Sequence, residues 1–191
     1  IIPSENTEVL VNLPPYVERG GNTPGSGYGD LSFLAKYRLL SENEAHGNAI
    51  MTAFLGLSVP TGSTPNGDQT ATLTPTIAGG KGWGAFDVQS TLGIQLPTHS
   101  VQSVGRTLSW NTAFQYHLAR YFWPEVEVND SHYFGGEHDG KNQVLMTYGV
   151  VFGKFVIHDR LGVVVGAGYQ AAASNFRTYD NAAVLTARMP F

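Results

Sequence analysis

Regular alternation of apolar and polar residues constrains this chain more than any other feature. Between residues 107 and 118, Trp110 and Phe114 lie on one parity, while Asn111 and Gln115 lie on the other. Successive side chains of a β-strand point to opposite faces, whereas a helix repeats every 3.6 residues. The pattern therefore predicts a strand with one apolar face and one polar face.

The same alternation recurs along the chain and predicts ten strands. The clearest segments are 85–96, 107–118, 143–153 and 161–170, and weaker ones lie at 6–13, 29–40, 48–59, 72–80, 121–129 and 181–191. Pro75 falls inside a weaker segment, where a proline removes a ladder donor. With 191 residues and no break in composition, we expect one all-β, antiparallel domain over 1–191.

The connections between the predicted strands alternate in length. The long ones are 14–28, 60–71, 97–106, 130–142 and 171–180, and the short ones are 41–47, 81–84, 119–120 and 154–160. Outer-membrane β-barrels have short periplasmic turns and longer loops outside. This sorting favours an up-and-down transmembrane β-barrel whose C-terminus lies in the periplasm.

The last predicted strand ends the chain on Phe191, and Leu185 and Met189 share its parity. This ending resembles the closing strand of bacterial outer-membrane barrels, which the barrel-assembly machinery recognises. The resemblance implies that outer-membrane lipid and that machinery are partners, and that the bacterial outer membrane is the location. Because the chain starts at Ile1, we expect that its front was processed or truncated. Two further strands would then make a barrel of twelve.

Composition excludes several other classes of protein. The chain has no cysteine, so disulfide and thiol chemistry are excluded. Its net charge is −4 and it has no basic run, so we expect no nucleic-acid partner. No stretch approaches the roughly 20 apolar residues that a spanning helix needs. We expect no cofactor and no metal site.

Aromatic residues gather near the ends of the predicted strands, as in the girdles at the two membrane interfaces of such barrels. The set expected at the periplasmic interface is Tyr37, Trp83, Phe86, Tyr116, Tyr121, Phe122, Trp123 and Phe152, and the outer set is Tyr28, Trp110 and Tyr169. Core aromatics of a soluble β-protein are the alternative interpretation.

Two local motifs point to a family. Residues 27–40 read GYGDLSFLAKYRLL, and residues 54–62 read FLGLSVPTG. Together with the Gly-rich stretch through 79–93 and Phe191, they resemble the outer-membrane barrels of the MetA-pathway (phenol degradation) family. The resemblance implies a barrel that passes small aromatic molecules, and it carries over no catalytic residue. From the residues alone, both motifs are interpreted as structural, because Gly29 and Asp30 suit a strand entry and Pro60 a strand end.

Parity assigns polar residues to a lumen. The expected lumen-lining residues are Lys36, Arg38, Asp87, Gln89, Gln115, His117, Glu125, Glu127 and Arg188, together with Glu8. Glu125 and Glu127 lie two apart on one face, which suits an acidic constriction or an acid–base pair. The favoured interpretation is a structural network in which Arg38, Lys36 or Arg188 neutralises them.

The outer loops offer further candidates. We expect Tyr133, Phe134, Phe176 and Tyr179 to form an apolar outer vestibule. A loop-borne triad of His99, Ser131 and Asp139 is conceivable, but no motif supports it. The segment 132–139 has metal-compatible residues without a known ligand spacing, so a solvated loop is the favoured interpretation. We therefore expect no catalytic residues.

The sequence thus predicts a non-enzymatic barrel that lets small, in particular hydrophobic or aromatic, solutes pass through a narrow lumen. Ten to twelve strands lie between the barrels that side chains fill and the wide porins. Two alternatives remain open. One is a plugged structural or adhesive barrel without transport, and the other is a soluble lipocalin-like carrier of an apolar ligand.

Overall fold

Ten strands form one antiparallel up-and-down sheet in the computed structural model, which describes residues 4–14, 16–17, 25–64, 66–158 and 161–189. The strands, in chain order, are β1 (Thr7–Asn12), β2 (Tyr16–Val17), β3 (Gly27–Tyr28), β4 (Leu31–Glu42), β5 (Ala49–Val59), β6 (Thr72–Trp83), β7 (Phe86–Pro97), β8 (Arg106–Tyr116), β9 (Phe122–Phe134), β10 (Asn142–His158), β11 (Leu161–Ala172) and β12 (Asn181–Arg188). Strands β2 and β3 make a separate short hairpin, and the other ten make the large sheet. A 3₁₀ turn at Glu44–His46 and helix α1 (Val101–Val104) lie in connections.

This architecture confirms the predicted all-β, up-and-down arrangement, and each of the ten predicted strands corresponds to one strand of the sheet. Strand β9 is longer than the predicted 121–129, because it continues to Phe134. Asp130 and His132 lie on the apolar parity of that extension, so the pattern ends before the hydrogen-bonded ladder does.

Pro75 lies within a central strand of the sheet. It pairs with Leu55 on β5, but the β6–β7 ladder has no residue pair between Leu73 and Thr76. A proline has no N–H to donate, so the ladder is interrupted on one side only. The strand continues because its other neighbour still holds it.

The strands are staggered along the sheet. A row of directly paired residues can be followed across the sheet from β4 to β10. This row meets β4 at its sixth residue, Lys36, and β6 at its fifth, Thr76. It meets β8 at its fourth residue, Ser109, and β10 at its second, Gln143. Progressive displacement of this kind is the shear that tilts strands in barrel-like sheets.

The sheet curls around its polar face. On β10, Thr147 is 5% exposed while its neighbour Tyr148 is 53% exposed, and on β6, Thr72 is 2% exposed while Leu73 is 38% exposed. A flat sheet with two open faces would expose both parities alike. The polar parity is therefore the concave side, and the apolar parity is the convex side.

The sheet has two edges, β1 and β12, which lie at the ends of the strand order. Within the described residues, no ladder joins these two strands. The connections alternate as expected, with short ones at 43–48, 84–85 and 117–121 and long ones at 60–71, 98–105, 135–141 and 173–180. The predicted short connection at 154–160 is wrong for residues 154–158, which continue strand β10, and residues 159–160 lie outside the described residues. The predictions for Phe191 and for 18–24 also lie outside them.

Gly153 marks an irregularity between strands β10 and β11. The β10–β11 register shifts between Phe152 and Phe155, and Gly153 there has a φ of 130°. A Cβ at this position would lie 2.7 Å from the carbonyl oxygen of Val163. The position therefore requires glycine both for its dihedral angle and for space.

We predict that Gly153→Ala destabilises the folded protein by about 1–3 kcal/mol, because strained backbone and a backbone clash combine. The measurement is the urea midpoint of unfolding of the purified, folded protein. Gly140→Asn is the matched control, since Gly140 has a φ of 72° with nothing within 4 Å of its Cβ position, and asparagine tolerates this conformation. Equal midpoints for the two variants would contradict the bulge assignment.

Candidate functional site

The polar face of the sheet gathers most of the residues that the sequence places in a lumen. Register pairing puts eight of them on the concave side, namely Lys36, Arg38, Asp87, Gln89, Gln115, Glu125, Glu127 and Arg188. Cross-strand partners share a face, so these positions follow from the ladder and not from individual rotamers.

His117 differs from this set. It lies just beyond the end of β8, it is exposed, and its ring stacks on Trp123 with centroids 4.1 Å apart. Trp123 pairs with Val151 on the polar parity, so its expected place in the outward aromatic girdle is wrong. Consecutive aromatics cannot all face lipid, because neighbouring strand residues point to opposite faces.

The charges of the concave face pair in two separate groups. Lys36 forms an ion pair with Glu8 on the adjacent strand, with Nζ 2.9 Å from Oε2. Glu125 instead accepts a hydrogen bond from the Gln115 side chain, and Arg188 and Glu127 both interact with it electrostatically. Three cations were expected to neutralise Glu125 and Glu127. The structure places Arg188 near Glu125, whereas Lys36 pairs with Glu8.

Small residues on β10 and β11 leave little space beside the acidic pair. Gly149 faces Gly168 across the ladder, and a Cβ on Gly168 would lie 3.2 Å from the Tyr148 carbonyl oxygen. The cavity beside them, next to Glu125, has a volume of about 70 Å³. These glycines therefore allow close approach of the backbones and do not open a wide passage.

Two larger cavities lie along the same face. One of about 430 Å³ is bordered by β1, β4 and β5, and includes Lys36, Arg38 and Phe54. The other, of about 350 Å³, lies toward the short-turn end and includes Asp87 and Gln89. Both are open to solvent, and both contain residues from the predicted lumen set.

The aromatic residues of the long loops meet in part as predicted. Tyr133 and Phe176 have ring centroids 5.6 Å apart in an edge-on arrangement, and the Tyr179 hydroxyl donates a hydrogen bond to Gln170 on the polar face. Phe134 was expected to join them, but it pairs with Arg106 on the opposite parity. His138, which the sequence interpretation did not include in the vestibule, has its ring 5.1 Å from that of Phe176 in a tilted arrangement.

Asp30 links the two motifs that carry the family resemblance. Its Oδ1 accepts the Gly62 N–H at 2.7 Å, and its Oδ2 accepts the Asp68 N–H at 2.8 Å. The Leu31 N–H donates to the Thr61 hydroxyl at 2.8 Å. The two motifs thus form one clamp between neighbouring long-loop ends, which agrees with their structural interpretation.

Glycine is required in this clamp because the chains approach closely. A Cβ on Gly62 would lie 2.8 Å from the carbonyl carbon of Gly29, and one on Gly67 would lie 2.6 Å from Oδ1 of Asp30. A side chain at either position would displace the Asp30 carboxylate from the N–H groups it binds.

The conceivable triad has other partners. The His99 ring contacts the Thr98 hydroxyl at 3.2 Å, and Asp139 accepts the Gly135 N–H. Ser131 lies within β9 on the polar face. Nothing among the described contacts joins the three residues into a nucleophile–base–acid arrangement.

The described part of the chain contains no group of three or more His, Cys, Asp or Glu side chains arranged to hold a metal ion. In the same part, no helix has the length and apolar character needed to cross a membrane. Comparison of the sequence with protein-family models gives no match, and comparison with curated proteins gives none either.

Asp68 gives the clamp a pH dependence. Partial burial of the carboxyl group and the nearby negative charge of Asp30 raise the pKa of Asp68 above its ordinary 3.8. The folded state therefore binds this proton more readily than the unfolded state does. The contribution of Asp68 to the stability of the clamp is fully present below pH 3.8 and is lost as pH rises through the raised pKa.

We predict that Asp68→Asn increases hydrogen-exchange protection of segment 60–71 at pH 7, because it removes the repelling charge and keeps the N–H that Asp30 binds. At pH 3.5 the protection of variant and wild type should converge once intrinsic exchange rates are corrected. Asp139→Asn, in another long loop, is the control and should leave segment 60–71 unchanged. Lower protection in Asp68→Asn at pH 7 would contradict the sign of this effect.

Proposed function

We propose that the protein is a bacterial outer-membrane β-barrel that allows small solutes to pass along its polar interior without chemistry. The observation that carries this proposal is the inverted distribution of hydrophobicity. Leu145, 7% exposed, is the only large apolar side chain in a buried core position among the described residues, whereas Thr72, Gln143 and Thr147 are buried.

The convex face supports contact with lipid. Leu92 is 45% exposed, Phe114 39% and Leu55 50%, and all lie on the same side of neighbouring strands. Water-soluble monomers rarely expose a continuous apolar surface of this extent. A lipocalin-like carrier would turn these side chains inward, so the geometry disfavours that alternative.

Charged residues mark the two margins of this apolar belt. At one margin, Arg106 of β8 and Asp130 of β9 lie on the convex parity toward the long-loop ends of their strands. At the other margin, Lys81 lies on the convex parity at the short-turn end of β6, and its Nζ donates a hydrogen bond to the Gly47 carbonyl. The belt on β8 runs from Leu108 to Tyr116, about 27 Å along the strand at about 3.4 Å per residue. With a tilt of about 40°, this spans about 20 Å of membrane thickness.

Exposed aromatic residues lie toward both margins. Trp83 is 56% exposed and Tyr116 47% at the short-turn end, and Trp110 is 58% exposed nearer the long loops. Rings with one polar edge favour the depth of the lipid headgroups. This distribution supports an outer-membrane location with the short turns in the periplasm, and with it the barrel-assembly machinery as a partner.

The narrow, mixed-charge concave face favours small solutes. The cavities along it are a few hundred Å³ at most, which suits a molecule of one or two rings and excludes polymers. The resemblance to the MetA-pathway family suggests aromatic solutes. The aromatic group of Tyr133, His138 and Phe176 at the long-loop end supports this, because such rings can contact an entering apolar molecule.

The proposal is tested by reconstitution into liposomes, followed by osmotic swelling with sugars and small aromatic alcohols. Passage predicts swelling with small solutes that declines steeply with solute size. A plugged structural barrel, the second candidate, would insert into the membrane and give no swelling.

We predict that the two faces respond differently to the same substitution. Leu92→Arg places a charge on the lipid-facing side and should cost about 2–4 kcal/mol near mid-membrane, which lowers the folding yield. Gln89→Arg lies three positions away on the concave side and should fold normally but change the swelling rate. Folded fractions are measured by heat-modified gel mobility, and equal yields would contradict the face assignment.

The sheet edges give a further test of the membrane assignment. Unpaired backbone N–H and C=O groups each cost several kcal/mol in hydrocarbon, so edges inside a bilayer must pair. We propose that β12 pairs with β1 of the same chain, antiparallel, to close the barrel. Val11 and Leu185, 56% and 82% exposed, lie on the convex parity of these two strands.

We predict that one of three double variants, Val11→Cys with Ala183→Cys, Leu185→Cys or Ala187→Cys, forms a disulfide within one chain after folding into lipid. The chain has no natural cysteine, so any cross-link comes from the introduced pair. The single variants are the controls. Cross-links found only between two chains would show that the edges pair with a second copy instead.

A further inference from the structure

The concave face has an apolar strip near one edge of the sheet. On β1, β4 and β5 the polar parity contains Leu10, Leu34, Ile50 and Phe54, whereas the next strands, β6, β7 and β8, have mainly threonine, glutamine, glycine and alanine there. Ile50 is 48% exposed there. Positions that break a local pattern are where functional or strained sites are expected.

A cavity is lined by two residues of this strip, Ile50 and Phe54, and not by Leu10 and Leu34. Its volume is about 430 Å³, and Ile50, Thr52 and Phe54 form its floor, with Asn6 and Thr7 at the β1 side. This size accommodates one aromatic ring with a short substituent. Phe54 is half-buried, so it offers a fixed apolar surface to such a ring.

Two cations border the same cavity and differ in their partners. Lys36 is held by Glu8 at 2.9 Å, so its charge is already compensated. Arg38 is exposed and makes no ion pair within the described part of the chain, although its side chain borders the cavity. A planar guanidinium matches a carboxylate with two parallel hydrogen bonds.

We propose that this cavity binds a small aromatic monocarboxylate, with the carboxylate on Arg38 and the ring on Phe54 and Ile50. The inference deepens the proposed passage of aromatic solutes and rests on it for its biological meaning. Glu5 also borders the cavity and is unpaired in the described residues, so its negative charge opposes the bound carboxylate. This sets a moderate affinity, which suits a solute that must leave again.

Binding is tested with benzoate and the folded protein in detergent micelles, by calorimetric titration at low salt. Benzyl alcohol and benzylamine test the charge requirement, and acetate tests the ring requirement. We expect binding in the order benzoate, then benzyl alcohol, then acetate and benzylamine. Arg38→Gln should weaken benzoate binding about tenfold, the loss of one charge-assisted pair.

Matched variants separate the site from general effects. Arg106→Gln removes an exposed arginine on the convex side and should leave benzoate binding unchanged. Phe54→Ala should weaken benzoate several-fold, whereas Phe114→Ala, on the lipid side, should not. Glu5→Gln should strengthen benzoate binding two- to fivefold, since it removes an opposing charge.

The outcomes distinguish this inference from the passage proposal. Benzoate binding that Arg38→Gln weakens about tenfold, without liposome swelling, supports the site and overturns passage. Swelling with aromatic alcohols, without benzoate binding or with binding equal in Arg38→Gln and Arg106→Gln, supports passage and overturns the site. Equal affinity for benzoate and benzylamine also overturns it, because Arg38 would then select nothing.

Discussion

A pleated strand turns neighbouring side chains to opposite faces, and in this sheet the polar set lies on the concave side. Two adjacent residues show this arrangement, because Thr147 is buried on the concave side while Tyr148 is exposed on the convex side. In water such a distribution would cost free energy, because apolar area gains about 25 cal/mol per Å² when it leaves water. In the proposed membrane location, lipid around the convex face would remove that cost, and the stability of the sheet would depend on it.

The same sidedness organises the interior. The concave face has to accommodate charged groups in a narrow space, and it does so in local pairs, Lys36 with Glu8 and Glu125 with Arg188 and Gln115. In the strand order, β5, β6 and β7 separate Lys36 from Gln115 and Glu125, and each group contains both signs of charge. Arg38 makes no ion pair in the described part of the chain, and it borders a cavity of about 430 Å³ beside apolar side chains. Selectivity in this interior would therefore come from one position and not from overall charge.

Much of the fold could be predicted from the sequence, since period-two alternation is a local property. The pattern located all ten strands and the face of Gln89, Gln115 and Glu127. It failed where local signals conflict. The polar Asp130 on the apolar parity made β9 look shorter than it is. In the run of Tyr121, Phe122 and Trp123, all three aromatics were assigned to one face, although Trp123 lies on the polar parity. Phe134 was grouped with Tyr133, although adjacent strand residues point to opposite faces.

The amino-acid order by itself determined the strands, their faces and the alternation of long and short connections, because each depends on residues close together in the chain. Only the tertiary structure decided which of these residues meet. Asp30 binds the N–H groups of Gly62 and Asp68, more than 30 positions away, and Lys36 selects Glu8 over the glutamates of β9. Such partnerships depend on strand register and on the curvature of the sheet, and a local pattern contains neither.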